Sequence, residues 1–536
     1  MKRTTGALAV LAAATLALTA CGGGSTDEST SASGSGGGLT PAESGRCTED
    51  NVGGTITMGE YVMLPTFMPG QGQYGIRGGA ESAAIYDRLM IWNPEAAEFE
   101  PKLAESLVSN DDNTVWTLTL RDGVNFSNGD PVTAEDVAFT IGLHQDPATR
   151  SVIMTEAMQV DEAVAVDPLT VEFTLTEPWA GFPSLLAGAA GEVIPQDAFM
   201  EAGPEEWASN PIGAGAFVMD SYTPDQEVVL QPNPDYYGGP VCPTLEFIRI
   251  PGSQGTMDAF QTGELQVGVL RGAKFVTDAQ DSDIQGFEEI ISAGSLINMN
   301  SGNAGYDGVL TDERARRAVG HAMDRDLWNQ RLAGGMGQPT SALVAESSRF
   351  YDGQEGPKYD ADEAKRLVDE VKAENPDWDG SLELLISDAP ENVEAGVVAK
   401  ALLDASGFNV TIVNAPISQV TARQFTGDYE IVIGGLGPSD ADPASTFAAA
   451  MTPGGATNLT GIDDPELTKV LTEFKAASDL DSQKEALNRV QEVYNRVQPF
   501  AVMANAEQYV IVDESVKGVV PTLSSVMLFD GAYIEE

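Results

Sequence analysis

Residues 116–139, WTLTLRDGVNFSNGDPVTAEDVAF, change backbone habit three times within a short span. Trp116, Leu118 and Leu120 alternate with Thr117 and Thr119, the period of a half-buried strand. Arg121-Asp122-Gly123 supplies a turn, Val124-Asn125-Phe126 resumes extended chain, and Asn128-Gly129-Asp130-Pro131 turns again. Thr133 is placed to cap a helix that opens at Ala134. Glu135 and Asp136 fall in its first turn, where negative charge suits the helix dipole. Taken alone, this is a hairpin running into a helix, a unit that many folds contain.

The chain has 536 residues, enough for two or more packed domains. Its formal net charge is −52, from 29 basic and 81 acidic residues. Nucleic acid and anionic lipid surfaces are therefore poor partners for the body of the protein. So acidic a surface suits a chain living in salt, where screening softens self-repulsion.

The first residues set the compartment. Lys2 and Arg3 precede an apolar run over 6–18, too short for a comfortable membrane span and shaped like a signal peptide. Leu18-Thr19-Ala20-Cys21 then resembles the lipobox of bacterial lipoproteins. That resemblance implies removal of 1–20, diacylation of Cys21 and a tether to the outer face of the membrane, since two acyl chains anchor stably. Residues 22–45 are mostly Gly, Ser, Thr and Ala, a flexible segment; about 24 residues of such chain reach roughly 25–30 Å. The expected lipidated tether is 21–46. Cys47 and Cys242 remain as two thiols in an oxidising compartment, where a disulfide between them is the default expectation.

The wording of 116–139 resembles the "tftLRdGvkFsdGtpvtAeDVvfs" signature of the extracellular solute-binding proteins of family 5, the peptide/nickel-type receptors of ABC importers. Further segments resemble the same family in order. Pro101-Lys102-Leu103-Ala104-Glu105-Ser106-Leu107 is similar to its "P.LAesw". Asn210-Pro211-Ile212-Gly213-Ala214-Gly215-Ala216-Phe217 resembles "nPvGTGPY" with Ala214, Ala216 and Phe217 departing. Residues 311–325 resemble "d.rvRqAlayAiDR", read as a helix with Thr311 at its cap. The likeness runs from about 52 to 530. It implies an α/β, two-lobed periplasmic-binding-protein-like fold of type II, in the large three-subdomain form, with the ligand cleft between lobes. One lobe would take 47–272 and 508–536, with a subdomain near 100–205; the other would take 273–507. Alternating strands and helices support mixed α/β independently: helix over 81–90, strands at 245–250, 296–300, 382–386, 410–413, 429–435, 500–503 and 509–512, and helices at 467–477 and 482–497.

Catalytic constellations are sparse. His144 and His321 are the two histidines, and His321 lies in an apolar helical stretch that favours a core or cap role. No HExxH or GxSxG occurs, so a zinc site or a Ser-His-Asp triad is not expected. Gly70-Gln71-Gly72-Gln73-Tyr74-Gly75 matches GxGxxG but lacks the strand–turn–helix setting of a dinucleotide site. No cofactor, metal or enzymatic activity is expected.

Residues 434–443, GGLGPSDADP, resemble the family's "gW..Dy.DP" loop, where an aspartate pairs with a peptide's α-ammonium through a charge-assisted bond. Asp442-Pro443 matches the "DP". Ser439 stands at the ungapped amine-reading position, Asp440 comes one residue later, and Leu436 replaces the Trp. Either the loop shifts and Asp440 serves, or the amine is not read there. Tyr61, Asn300, Met503 and Asn505 complete the candidate ligand contacts. The expected protein is a monomeric, lipid-anchored receptor of an ABC importer. It would close on an oligopeptide or dipeptide, dock on permease subunits, and meet the membrane through its lipid alone. A nickel-chelate or oligosaccharide receptor, a surface sensor without transport and a secreted hydrolase are the competing readings.

Overall fold

Trp116, Leu118 and Leu120 are buried and Thr117 is exposed, as the alternation requires. Their strand pairs antiparallel on both sides, and its inward side chains join Phe173, Trp179 and Phe182 in one core. The following segment is extended but makes only an isolated bridge, Asn125 to Pro131, because Asn128-Gly129 turns the chain back at once. The helix Ala134–Gln145 opens where its cap was read. The Asp136 carboxylate accepts the Thr133 N–H at 3.0 Å and the Thr133 hydroxyl at 2.7 Å. Such a cap stabilises by about 1 kcal/mol. Ala134, Val137 and Ile141 form the face that packs on the strands.

The computed structural model describes residues 46–72 and 78–535. The signal segment, Cys21 and nearly all of the tether lie outside them, as does much of the GxGxxG stretch. Sixteen strands carry the architecture. In chain order they are β1 (Thr55–Glu60), β2 (Met90–Asn93), β3 (Glu98–Pro101), β4 (Ala104–Ser109), β5 (Val115–Leu120), β6 (Val160–Asp167), β7 (Thr170–Leu175) and β8 (Phe217–Thr223). There follow β9 (Glu227–Pro232), β10 (Thr244–Arg249), β11 (Val267–Arg271), β12 (Gly286–Met299), β13 (Ser381–Ser387), β14 (Asn409–Ala415), β15 (Ile431–Gly434) and β16 (Phe500–Val512). A ten-stranded sheet runs β14-β13-β15-β12-β16-β11-β1-β10-β9-β8, and a separate four-stranded sheet runs β4-β5-β7-β6.

The ten-stranded sheet has two halves joined by β12 and β16. These two strands pair antiparallel from Gly286↔Ile511 to Ile291↔Ala506, slip, and pair again from Ser295↔Ala504 to Asn298↔Phe500. Ala293 sits in the slip at φ 46°, and a Cβ on Gly294 would lie 2.5 Å from the Ala506 nitrogen. A bulge of this kind bends and twists the ladder. On one side of it β16 pairs with β11; on the other β12 pairs with β15. The helix Ala273–Asp281 still packs with Leu270 and Ile511, so the chain leaves the first half inside β12 rather than at residue 272.

Separate cores follow. Ile56, Phe247, Val510 and Phe529 belong to the first half, so the C-terminal residues return to it. The four-stranded sheet has its own core, and two more lie around the second half. Cys47 is joined to Cys242 by a disulfide that closes a 195-residue separation. No helix among the described residues is long and apolar enough to cross a membrane.

Several expected elements differ. The helix near 81–90 is Gly79–Tyr86; Asp87 at φ 62° ends it and Met90 already starts β2. The helix after Thr311 is capped by Asp312, whose carboxylate accepts the Arg314 N–H. It stops at Ala322, and Asp324 caps a second helix, Arg325–Leu332. The segments 500–503 and 509–512 are one strand of 13 residues. β12 has 14 residues, of which only the last few were anticipated. Both long strands cross the bulge, where small residues erase the alternation. His321 is partly exposed, not in the core, with Nδ1 2.9 Å from the Lys358 carbonyl oxygen.

Candidate functional site

The loop after β15 is built by two close approaches and a cap. Leu436 N–H donates to the Ala293 carbonyl at 3.0 Å, tying the loop to the β12 bulge. Gly435 packs directly on the Gly294 backbone, where a Cβ would lie 2.6 Å from the carbonyl oxygen. Asp442 then caps the helix Pro443–Met451, with Pro443 at its first turn. The Asp442 Oδ1 accepts the Ser445 N–H at 3.3 Å and Oδ2 accepts the Ser445 hydroxyl at 2.6 Å.

The same carboxylate reaches the four-stranded unit. Trp179 N–H donates to Asp442 Oδ2 at 2.9 Å, and Ser184 Oγ is 3.4 Å away. A Cβ on Gly181 would fall 2.3 Å from Oδ2, so the approach depends on glycine there. Two further bridges join these parts. Lys475 donates to Gln159 Oε1, stands 5.1 Å from the Trp179 ring centroid, and accepts the Ala180 N–H at its carbonyl. Arg349 donates to the Asp440, Ala441 and Ala97 carbonyls and lies over the Trp92 ring.

Between these walls lies a cavity of about 430 Å³. Leu185, Leu296, Leu436, Leu459 and Phe500 make much of its surface; Ser439, Ser445, Thr446 and Asn298 add polar groups, and Glu156 and Asp442 carboxylates. Apolar walls with a few placed polar groups, at this size, are the usual form of a small-ligand site. Burial raises the Glu156 carboxyl above its ordinary range, against the pull of Lys475. Burial lowers the Lys475 ammonium, opposed by Glu177, Asp442 and Glu156.

Two expected contacts, Leu436 and Ser439, line the cavity. Asp440 does not: its carboxylate accepts from the Ser348 hydroxyl and the Arg349 N–H, on an exposed side of the loop. Asn300 is fully committed to the backbone, donating to the Gly427 and Tyr429 carbonyls and accepting from Gly302 and Asn303. Met503 is buried in an apolar core. Asn505 accepts the Ala293 N–H and borders a different cavity of about 250 Å³. Tyr61 lies under the Arg271 guanidinium, 5.6 Å from the ring centroid, apart from the described lining of the 430 Å³ cavity. Trp179, Ser184 and Glu156 were missed. Asp442-Pro443 was read as part of the family's loop and not as a helix start, and nothing local says that its carboxylate meets Trp179.

Among the described residues no group of three or more His, Cys, Asp and Glu gathers as a metal site. His144 is buried beside the Ser151 hydroxyl, and burial lowers it to about 4.

The family description "Bacterial extracellular solute-binding proteins, family 5 Middle" matches residues 98–458. The dipeptide-binding protein of Escherichia coli K12 is 26% identical over 479 residues, covering 82% of this chain and 87% of that one. In structure the chain is similar to the ABC transporter-associated periplasmic binding protein DppA of Helicobacter pylori, solved with the peptide STSA. The TM-score is 0.75 at 22% identity, covering 91% of this chain and 99% of that one. It is also similar to AgaA of A. tumefaciens R10, solved with agropinic acid, at TM-score 0.74 and 20% identity, covering 90% and 99%.

Proposed function

The chain belongs to the bacterial extracellular solute-binding proteins of family 5, and from that premise we propose that it is the lipid-anchored, monomeric receptor of an ABC importer for short peptides. One observation carries the reading: a 430 Å³ cavity whose walls come from the four-stranded unit and from the second half of the sheet, held together at Asp442 and Trp179. A solute there touches both parts, so it favours the closed arrangement over an open one by the contacts it gains. The bend between Ile291 and Ser295 in β12, opposite Ala504–Ala506, is the hinge about which the two parts separate. Main-chain groups of the loop after β15 meet the peptide backbone, which tolerates varied side chains. Cys21 carries the lipid, and the closed form docks on permease subunits.

Native mass spectrometry of the protein purified without denaturant tests this. Adducts that fragment into short peptides are the expected result. A single non-peptide adduct would overturn the peptide assignment. Ser439 at the amine-reading position and Leu436 in place of Trp favour that second reading, a receptor of the same kind for a non-peptide solute.

A further inference from the structure

Closure around the 430 Å³ cavity is the reading on which this inference rests. We propose that the 250 Å³ cavity lies behind the hinge and sets the balance between open and closed forms, through the bulk of Ala273 on one wall and Leu332 on the other. Ala273 opens the helix Ala273–Asp281 of the first half, and Leu332 ends the helix Arg325–Leu332 of the second. Both line this cavity, together with residues 504–507 of β16.

The two cavities occupy opposite faces of the crossing strands. Side chains alternate along a strand, and β16 keeps this rule on both sides of the bulge. Phe500 and Val502 join the core of Leu296, while Val510 and Val512 join the core of Ile56. Ala501 and Met503 turn the other way, into the core of Trp328, against which Leu332 packs. Tyr509 and Ile511 likewise turn into the core of Val276. Leu296 and Phe500 line the larger cavity, whereas Trp328 and Leu332 line the smaller one.

Along β16 the anchors change from one half to the other within two residues. Asn505 N–H donates to the Gln338 carbonyl at 3.0 Å and Thr340 N–H to the Met503 carbonyl at 3.2 Å, so 338–340 is tied to the strand on the second-half side. The Glu507 carbonyl accepts the Gly272 N–H at 3.1 Å, which holds the first-half wall. Ala506, between them, meets the bulge at Gly294. The two walls nearly touch: a Cβ on Gly337 would lie 3.8 Å from the Ala273 Cβ. A rotation at Ala506 that parts the halves on one face brings them together on the other. Opening the solute face therefore compresses the small cavity, and closing relaxes it to the 250 Å³ found with Trp179 on Asp442. Packed interiors resist added volume, so bulk in this space disfavours the open form, and its removal favours that form.

Small-angle scattering of the full chain without added solute, in contrast-matched detergent, tests this on Ala273→Leu, Leu332→Ala and Trp179→Phe. Ala273→Leu should have a smaller radius of gyration than the unaltered protein and Leu332→Ala a larger one, each from a shift of about tenfold in the ratio of open to closed forms. Trp179→Phe acts on the solute face and reports the closing motion itself. An expanded Trp179→Phe beside two cavity variants of unaltered radius overturns the inference alone, as does the reverse order of their radii. An unchanged radius in all three overturns the closing reading and the inference together. Urea melts establish that each variant folds. If Ala273→Leu does not fold, Leu332→Ala decides: expansion upholds the inference, and a lowered melting midpoint at unchanged radius marks a merely structural residue and overturns it.

Discussion

The indole N–H of Trp179 donates to Asp442 Oδ2 at 2.9 Å, joining residues 263 apart in the chain. Each belongs to a different packed unit, and each is buried. Trp179→Phe keeps the ring and removes the donor. A hydrogen bond to a charged group contributes about 1.5–3 kcal/mol, so under the proposed closing mechanism ligand affinity should fall about tenfold or more when this contact is lost. Small-angle scattering should show a larger unliganded radius in the variant. An unchanged radius with unchanged affinity would remove this bond from the closing mechanism.

Glu60 and Glu81 are buried, and among the described residues no side chain donates to either carboxylate, although backbone N–H groups, that of Leu64 among them, act on Glu81. Burial raises both, Glu81 to about 7 and Glu60 well above its ordinary value with Glu81 adding repulsion. The folded chain thus holds protons that the unfolded chain gives up near 4.5, and stability falls as pH rises through this window. For Glu81 the loss by pH 8 is about 3 kcal/mol. His144, lowered by burial to about 4, acts in the opposite sense below 6.5. The descending limb should therefore be clearest above pH 6.5, in thermal melts from pH 6.5 to 8.5. Glu60→Gln with Glu81→Gln should flatten it and raise the melting temperature at pH 8; a steeper limb would contradict the assignment.

Gly294 approaches Ala506 so closely that a Cβ would sit 2.4 Å from that residue's own Cβ. Gly294→Val should strain the β12–β16 bulge at a cost of about 1–3 kcal/mol. Urea melts would register the loss, and ligand-induced compaction should weaken in parallel if the bulge is the hinge. A destabilised protein that still compacts fully would move the hinge elsewhere.

The Cys47–Cys242 disulfide holds the N-terminal segment beside the loop that leads into β10. Cys47→Ser with Cys242→Ser should cost about 2–4 kcal/mol. Melting with and without a reducing agent should separate the unaltered protein's transitions and leave the double variant indifferent to reductant.

Asp440 faces Ser348 and Arg349 rather than the cavity. Asp440→Ala should leave solute affinity within about twofold, whereas removing a partner of a charged ligand group would cost about tenfold or more. Asn300→Ala should lower stability by about 1–3 kcal/mol through its stranded backbone partners, with affinity unchanged. Titration and melting of the two variants check both.

Local interactions were legible from residue order. The alternation of Trp116, Leu118 and Leu120 and the cap at Thr133 each depend on neighbours within a few positions, and each forms where it was read. The likeness to the family carried the two-part α/β architecture. Where local signals compete, the reading slipped. Thr311 and Asp312 both suit a cap, but the Thr311 hydroxyl donates to the Gly308 carbonyl in the preceding turn, and the Asp312 carboxylate accepts the Arg314 N–H.

Residue order alone thus determined many of the strands and helix starts and the acidic surface, because periodicity, capping and charge are properties of short stretches, while the family of the fold was read from the resemblance of its motifs. Tertiary structure alone decided which polar groups face the cavity. Asp440 and Asp442 are two residues apart and carry the same group, yet one is spent on Arg349 and Ser348 while the other bridges to Trp179. Asn300 and Met503 looked free for a ligand until the crossing strands enclosed them. A side chain's role depends on which partners the packed chain brings within about 3 Å, and those partners lie hundreds of residues away.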